Sequence, residues 1–120
     1  MFAISKHMTA LSERARSGKL SRDEYQGSTF SISNLGMLGI RSFNAIINPP
    51  ESMILAVGGA REELSLDEDG QIRTRQTLSV TLTCDHRVVD GALGARWLQV
   101  FAELVEVGLP LVLPPEAFDE

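Results

Sequence analysis

The chain has 120 residues, of which 43% are hydrophobic and 22% are charged, and its net charge is −5. This length suits one domain, and the composition is that of a folded globular protein rather than a disordered one. The acidic balance without a basic cluster argues against a nucleic-acid partner, and the lack of a run of about 18 apolar residues argues against a membrane partner. A single cysteine, Cys84, excludes an internal disulfide framework and favours a reducing, soluble compartment.

The start of the chain is predicted to be helical. Between Ala3 and Arg16, apolar residues recur at helical spacing and form one stripe: Ile4, Met8, Leu11 and Ala15. Gly18 is the natural end of this helix. Ser21 and Glu24 fit a capping box, which predicts a short helix over Arg22 to Tyr25.

Strand patterns occupy the middle of the chain. Thr29 to Ser33 alternates, with Phe30 and Ile32 on one face and Ser33 at the exit. Met53 to Val57 is apolar throughout, as expected for a strand buried on both faces. Asp67 to Gly70 predicts a polar hairpin tip between two further strands, the last of which is Leu78 to Cys84.

A loop and a last helix complete the pattern. Asn34 to Gly39 has two glycines three residues apart, which indicates a tight turn with a close backbone approach, of a partner left unspecified, rather than a phosphate-binding loop. After Asp90, a suitable helix cap, an apolar stripe runs to Gly108: Leu93, Trp97, Val100, Phe101 and Leu104. Leu109 to Leu113 forms an apolar tail. The elements predict an α+β domain with a mixed or antiparallel sheet and flanking helices.

Ionisable residues concentrate where the last strand meets the last helix. Asp85, His86, Arg87 and Asp90 lie within six positions there. Because a histidine has an ordinary pKa of about 6.5, it can remove a proton from a thiol or hydroxyl near neutral pH. The alternative is a histidine that binds a backbone carbonyl at the strand end, and the residues alone leave both interpretations open.

Three segments, in the same order and at similar spacing, resemble the acyltransferase domains of 2-oxo acid dehydrogenase complexes. They are GSTFSISNLGMLGI (Gly27 to Ile40), IINPPESMILAVGG (Ile46 to Gly59) and CDHRVVDG (Cys84 to Gly91). In these three segments, the sequence is most similar to members from pyruvate dehydrogenase complexes, the dihydrolipoamide acetyltransferases. The resemblance runs from about Ile4 to Leu113.

This resemblance implies a fold like that of chloramphenicol acetyltransferase and transfer of an acetyl group between dihydrolipoamide and coenzyme A. His86 matches the family's general base, which deprotonates the attacking thiol. Ser33 matches the hydroxyl that the family places against the tetrahedral oxyanion; the alternative is a strand-end serine bonded to the neighbouring backbone. No metal is implied, and the residues that contact coenzyme A are not assigned.

The resemblance leaves two further residues with open roles. Asp90, the acid of the HxxxDG pattern, has three candidate roles: helix cap, salt-bridge partner shaping the loop, or polar group beside the intermediate. We favour structural support, and we expect Arg87 to form an ion pair that holds the turn. Cys84 shares a strand face with His86 and could form a nucleophile pair with it, but the family varies at this position, so we expect no catalytic role.

The resemblance also implies partners. In the family, the histidine of one subunit faces the serine region of its neighbour in a trimer, so we expect self-association, and the C-terminal apolar residues dock trimers into a larger core. Further implied partners are a lipoyl group carried on a separate domain and the pyruvate dehydrogenase and dihydrolipoamide dehydrogenase components. The implied compartment is a bacterial cytoplasm, with the mitochondrial matrix as the alternative.

The family's catalytic domain is about twice this length. We therefore expect residues 1–120 to be its C-terminal portion, without lipoyl and subunit-binding domains, and we expect weak or absent activity from the isolated chain. The alternatives are a non-catalytic structural or interaction fragment of the complex core, or a succinyl or branched-chain acyltransferase of the same family. Retention of His86, Ser33 and Asp90 favours descent from an enzyme.

Overall fold

The computed structural model describes residues 2–107. The helices in this range are α1 (Phe2–Arg16), α2 (Arg22–Tyr25) and α3 (Gly91–Val107). The strands are β1 (Phe30–Asn34), β2 (Met53–Val57), β3 (Arg61–Leu66), β4 (Ile72–Thr77) and β5 (Val80–Cys84). The predicted α+β class is confirmed. The apolar tail predicted at Leu109 to Leu113 lies outside the described residues.

The main sheet has three strands, with β2 in the centre. β1 is parallel to β2, and β5 is antiparallel to it on the other side. Three consecutive residues of β2 are buried, namely Ile54, Leu55 and Ala56. Because successive side chains of a strand point to opposite faces, this run is buried on both faces of the sheet, as its apolar sequence predicts.

A separate two-stranded sheet is formed by β3 and β4. At its tip, Asp67 Oδ1 accepts hydrogen bonds from the backbone N–H of Asp69 at 3.0 Å and of Gln71 at 2.8 Å. The predicted hairpin tip is therefore confirmed. The prediction that Leu78 to Cys84 is the second strand of this hairpin is wrong. That strand is β4, and β5 begins only at Val80 and pairs with β2 in the main sheet. Ser79 lies in the connection, where its carbonyl accepts from Gly58 N at 2.9 Å.

The two N-terminal helices form where the sequence predicts them. Lys19 N donates to Arg14 O at 2.8 Å across Gly18, whose φ of 69° suits a helix end. Ser21 N donates to Glu24 Oε2 at 2.9 Å, as in the predicted capping box. The apolar stripe of α1 is largely uncovered, and Ile4 and Met8 are exposed.

Only part of the predicted α3 stripe packs against the sheet. Trp97 stacks between Phe30 of β1 and Phe101, with ring centroids 5.4 Å apart in each pair. Leu93 and Val100 are exposed instead of buried. Helical periodicity identifies apolar residues on one face of a helix, but it does not say how much of that face another element covers.

The loop after β1 crosses a pair of glycines after β2. A Cβ atom at Gly36 would lie 2.8 Å from Gly59 Cα, and one at Gly58 would lie 2.0 Å from Arg41 O. Real Cβ atoms do not approach backbone so closely, so glycine is required here. The predicted close backbone approach of the Asn34 to Gly39 loop is confirmed, and the structure identifies Gly58 and Gly59 as its partner. No helix within residues 2–107 is both long and apolar enough to span a bilayer.

Candidate active site

His86 lies in a tight turn between β5 and α3. Asp85 N donates to Ser52 O at 2.8 Å, which ties the turn to the chain just before β2. Asp85 O then accepts from Val88 N and Val89 N, each at 2.9 Å, and Val89 is buried. These bonds hold the backbone around His86 while leaving its side chain exposed.

An ion pair joins Asp85 and Arg87, the two residues that flank His86. Arg87 Nη2 lies 2.6 Å from Asp85 Oδ2, and Arg87 Nε lies 3.0 Å from Asp85 Oδ1. Arg87 N also donates to Asp85 Oδ1 at 3.0 Å. The Arg87 side-chain bonds, followed by this backbone bond, lower the pKa of Asp85 to about 2. The expected role of Arg87 as an ion-pair partner holding the turn is confirmed.

Asp90 caps α3. Its Oδ1 accepts from Leu93 N at 2.8 Å, and its carbonyl accepts from Gly94 N at 3.1 Å. A side-chain cap of this kind typically stabilises a helix by about 0.5–2 kcal/mol. Of the three roles left open by the sequence, the helix cap is the one with visible bonds, and Asp90 forms no ion pair among the residues that the structure describes.

A cleft of about 340 Å³ opens beside His86, between β5 and α3. Its walls are mainly apolar, and His86 and Asp90 stand among the lining residues; the others are Leu82, Cys84, Val89, Gly91, Gly94, Ala95 and Leu98. Cys84 and His86 thus face the same space, as their spacing predicts. An apolar cleft with a histidine in its lining suits a thiol, which is a weakly polar group.

Ser33 is not part of this cleft. It pairs with Ala56, which pairs with Thr81 on β5, whereas Cys84 at the end of β5 is level with Phe30 at the start of β1. Side-chain alternation also places Ser33 on the face opposite to Cys84. From strand spacing and rise, the Cα atoms of Ser33 and Cys84 lie about 14 Å apart, with His86 farther along.

We call the two ends of the sheet the Ser33 end and the His86 end. β1 and β5 are antiparallel to each other, because one is parallel and the other antiparallel to β2. Ser33 and His86 both lie near the carboxyl ends of their strands, so one chain does not bring them together. The Ser33 hydroxyl makes no hydrogen bond within residues 2–107, so the predicted alternative of a serine bonded to neighbouring backbone is not seen.

A buried carboxylate at the His86 end was missed by the sequence analysis. Glu51 lies shortly before β2 and is only 4% exposed. Ser28 Oγ donates to its Oε1 atom, while its buried Oε2 atom has no partner among the described residues. The sequence did contain a sign of this burial: Glu51 directly follows two prolines and shortly precedes an apolar strand, where a surface charge is not expected.

No group of three or more potential metal ligands occurs within the described part of the chain.

Comparisons with known proteins identify relatives of the chain over most of its length. The profile of the family described as the catalytic domain of 2-oxoacid dehydrogenases acyltransferase matches residues 1–113. The chain is 53% identical over 104 residues to the dihydrolipoyllysine-residue acetyltransferase component of the mitochondrial pyruvate dehydrogenase complex of Caenorhabditis elegans, covering 86% of this chain and 20% of that protein. It is 48% identical over 103 residues to the corresponding component of Rickettsia conorii, covering 86% of this chain and 25% of that protein.

Solved structures of acyltransferase cores also resemble this chain. Dihydrolipoamide acetyltransferase of Azotobacter vinelandii, in a study of a serine, a histidine and an asparagine in its catalytic mechanism, matches with a TM-score of 0.78 and 37% identity over 85% of this chain and 42% of that one. The cubic core of the pyruvate dehydrogenase multienzyme complex matches with a TM-score of 0.72 and 38% identity over 78% of this chain and 38% of that one. The chain thus spans about a quarter or less of these two curated relatives and about two fifths of these solved chains.

Proposed function

Because the chain belongs to the family of 2-oxoacid dehydrogenase acyltransferase catalytic domains, we propose that it takes part in acetyl transfer between dihydrolipoamide and coenzyme A. The two relatives described above are acetyltransferase components of pyruvate dehydrogenase complexes, which favours acetyl over succinyl or branched-chain acyl groups. Parallel assays with acetyl-, succinyl- and isobutyryl-coenzyme A test this choice, and faster turnover of either of the latter two would contradict it.

His86 is the proposed general base. A thiol with a pKa of about 8.5 is mostly protonated at neutral pH, so a histidine bonded to it increases the thiolate available for attack. The exposed His86 side chain beside an apolar cleft supports this role. The histidine and asparagine studied in the A. vinelandii enzyme are four positions apart, as are His86 and Asp90.

The asparagine of that enzyme also bears on Asp90. An asparagine side-chain oxygen caps a helix as well as an aspartate oxygen does, but it carries no charge. The property common to both residues is therefore the cap that Asp90 forms with Leu93 N. Asp90 serves in our proposal to fix the start of α3 beside His86, and we assign no proton transfer to it.

Ser33 is the proposed oxyanion donor, and it acts together with the His86 of a neighbouring copy on the same reaction intermediate. The serine studied in A. vinelandii precedes the histidine by 52 positions, and Ser33 precedes His86 by 53. A single oxyanion donor is typically worth about 2.7–4 kcal/mol of transition-state stabilisation. Since Ser33 and His86 lie at opposite ends of the sheet, the site is complete only when the Ser33 end of one copy meets the His86 end of another.

The opposite placement of these two residues is the observation that carries this proposal, and mixed assemblies test it. Neither a His86→Ala chain nor a Ser33→Ala chain has a complete site by itself. When the two variants, each made in the complete catalytic domain, are assembled together at equal amounts, about a quarter of random neighbouring pairs join an intact His86 to an intact Ser33. We expect acetyl transfer to recover to that order. A mixture no more active than its separate components would show that both residues act within one chain.

The self-association in this proposal is a trimer, extendable to a larger core such as the cubic one among the structural matches. The lipoyl group arrives on a separate domain, and the dehydrogenase components are the further partners. Relatives include mitochondrial and bacterial proteins. A bacterial cytoplasm is the proposed compartment, with the mitochondrial matrix as the alternative; localisation of a tagged chain in its source cell distinguishes them.

We further propose that residues 1–120 are the C-terminal portion of the catalytic domain and that they alone transfer acetyl groups weakly or not at all. Supporting this, the apolar residues Leu93 and Val100 of α3 and the α1 stripe are exposed, although a complete domain normally covers such faces. The assay is turnover of dihydrolipoamide and acetyl-coenzyme A by the purified chain. Turnover within the usual range for enzymes, about 1–1,000 per second, would contradict the proposal.

A further inference from the structure

The buried carboxylate of Glu51 has a hydrogen-bond partner for only one of its two oxygens among the described residues. Its side chain is almost fully buried, and only Oε1 has a hydrogen-bond donor, from Ser28. The Ser28 and then the Ser31 hydroxyls lower the pKa of Glu51 despite an opposing effect of burial. Glu51 is therefore ionised at neutral pH, with Oε2 buried and unpartnered within residues 2–107. Because buried charged groups are normally paired, Oε2 is a free acceptor suited to a positively charged donor.

The described part of the chain supplies no cation to Glu51. No basic side chain of residues 2–107 forms an ion pair with Glu51. Residues 108–120 contain no lysine, arginine or histidine. A second copy of this chain is a source of such a charge, because the proposed function brings its Ser33 end against this end of the sheet.

A pocket next to Glu51 has the shape and chemistry for a long basic side chain. It measures about 410 Å³, and its lining includes Tyr25, Pro49 and Pro50 together with Glu51. The aromatic ring and the proline rings suit the aliphatic part of such a side chain, and guanidinium groups stack on aromatic faces. Arginine fits better than lysine, because its planar fork binds a carboxylate through two parallel bonds.

The chain holds a suitable arginine at the opposite end of the sheet. The backbone of Arg41 crosses Gly58, directly after β2, which places it at the Ser33 end. The Arg41 side chain is 72% exposed, and its ion pair with Glu63 is long, at 3.9 Å. Glu63 is already bound by Arg61 at 2.7 Å. Arg41 is thus available to another carboxylate.

We propose that the pocket at Glu51 receives the guanidinium of Arg41 from a second copy of this chain, forming an ion pair between copies. The inference rests on the proposed function, in which the Ser33 end of one copy meets the His86 end of the next. Ser52, next to Glu51, bonds the turn that holds His86, so Glu51 is at the His86 end. The same approach that brings Ser33 to His86 then brings Arg41 towards Glu51.

A double-mutant cycle on self-association tests this pair. The variants are Arg41→Gln, Glu51→Gln and the two together, with Arg75→Gln on exposed β4 as the matched charge control. The measurement is the association constant from sedimentation equilibrium at low and high salt. We expect each single variant to weaken association at least about tenfold, with no further loss in the double variant, because removing one partner leaves the other unpaired. Arg75→Gln should have no such effect.

Losses that add in the double variant, or a chain that is monomeric at every concentration, would overturn the proposed pair. Glu51→Gln keeps the side-chain shape and can still accept from Ser28, and circular dichroism with a urea titration shows that each variant is folded. The readout is association, so it is independent of acetyl transfer. Coupling without recovered activity in His86→Ala and Ser33→Ala mixtures would contradict the proposed function alone, and the reverse result would contradict the Arg41–Glu51 pair alone.

Discussion

The sulfur atom of Cys84 lies only 3.3 Å from the position that a Cβ atom on Gly94 would occupy. Gly94 therefore lets α3 approach β5 closely enough to form the floor of the His86 cleft. The contact makes the size of residue 94 a determinant of both stability and cleft shape.

Replacing Gly94 by valine should destabilise the fold by about 1–3 kcal/mol, the usual cost of added atoms in a packed contact. The measurement is the free energy of unfolding from urea titration. Gly91→Val is the matched control, because a Cβ at Gly91 meets nothing within 4 Å. In a Cys84→Ala background the loss at residue 94 should shrink, and an unchanged loss would mean that another contact limits the helix position.

In the assembled complete catalytic domain, replacing His86 by alanine should reduce kcat for acetyl transfer by about 10²- to 10⁴-fold, which is the range for loss of a general base. The fold should be unaffected, because the side chain is exposed. Cys84→Ala is the control from the same cleft and should retain transfer. If Cys84→Ala abolished transfer in a folded protein, the thiol would be the nucleophile and His86 its activator.

Replacing Asp90 by asparagine should leave stability nearly unchanged, whereas Asp90→Ala should lose about 0.5–2 kcal/mol through loss of the cap. The reason is the bond from Leu93 N to Asp90 Oδ1, which an amide oxygen can also accept. Thermal unfolding of both variants reports the helix cap, and acetyl-transfer assays on both report whether the charge of Asp90 is needed. An asparagine variant that is stable but inactive would show that the charge itself is needed.

Arg87→Gln should remove an acid-sensitive part of the stability. The folded-state pKa of Asp85 is about 2 against an ordinary value of 3.8, so its ion pair stabilises the fold above pH 4. That contribution is lost as the pH falls from about 4 towards 2. The variant should therefore be less stable at neutral pH and show a flatter decline in acid, measured by urea titration at several pH values. Arg96→Gln on α3 is the control, and an equal change there would point to net charge.

Local features were predictable from sequence because local interactions determine them. The Ser21–Glu24 capping box, the tip at Asp67 and the buried run of β2 all depend on residues close together in the chain. The Asp90 cap belongs to the same class.

Long-range relationships were not predictable. The separation of Ser33 from His86 depends on which strands pair and in which direction, and hydrophobic alternation is the same for parallel and antiparallel neighbours. Likewise, β4 pairs with β3 and not with the main sheet. The burial of Glu51 depends on the folded path of the Ser28 segment, to which it is bonded across 23 positions.

The antiparallel relation between β1 and β5 also restricts symmetry. Under the proposed pairing, each copy offers one end of its sheet and receives the opposite end of another, so the contact is directional and head to tail. Such contacts close into a ring or continue as an open row. A closed ring has as many complete sites as copies, whereas an open row has one fewer. If the number of complete sites per assembly equals the number of copies, the assembly is therefore a closed ring.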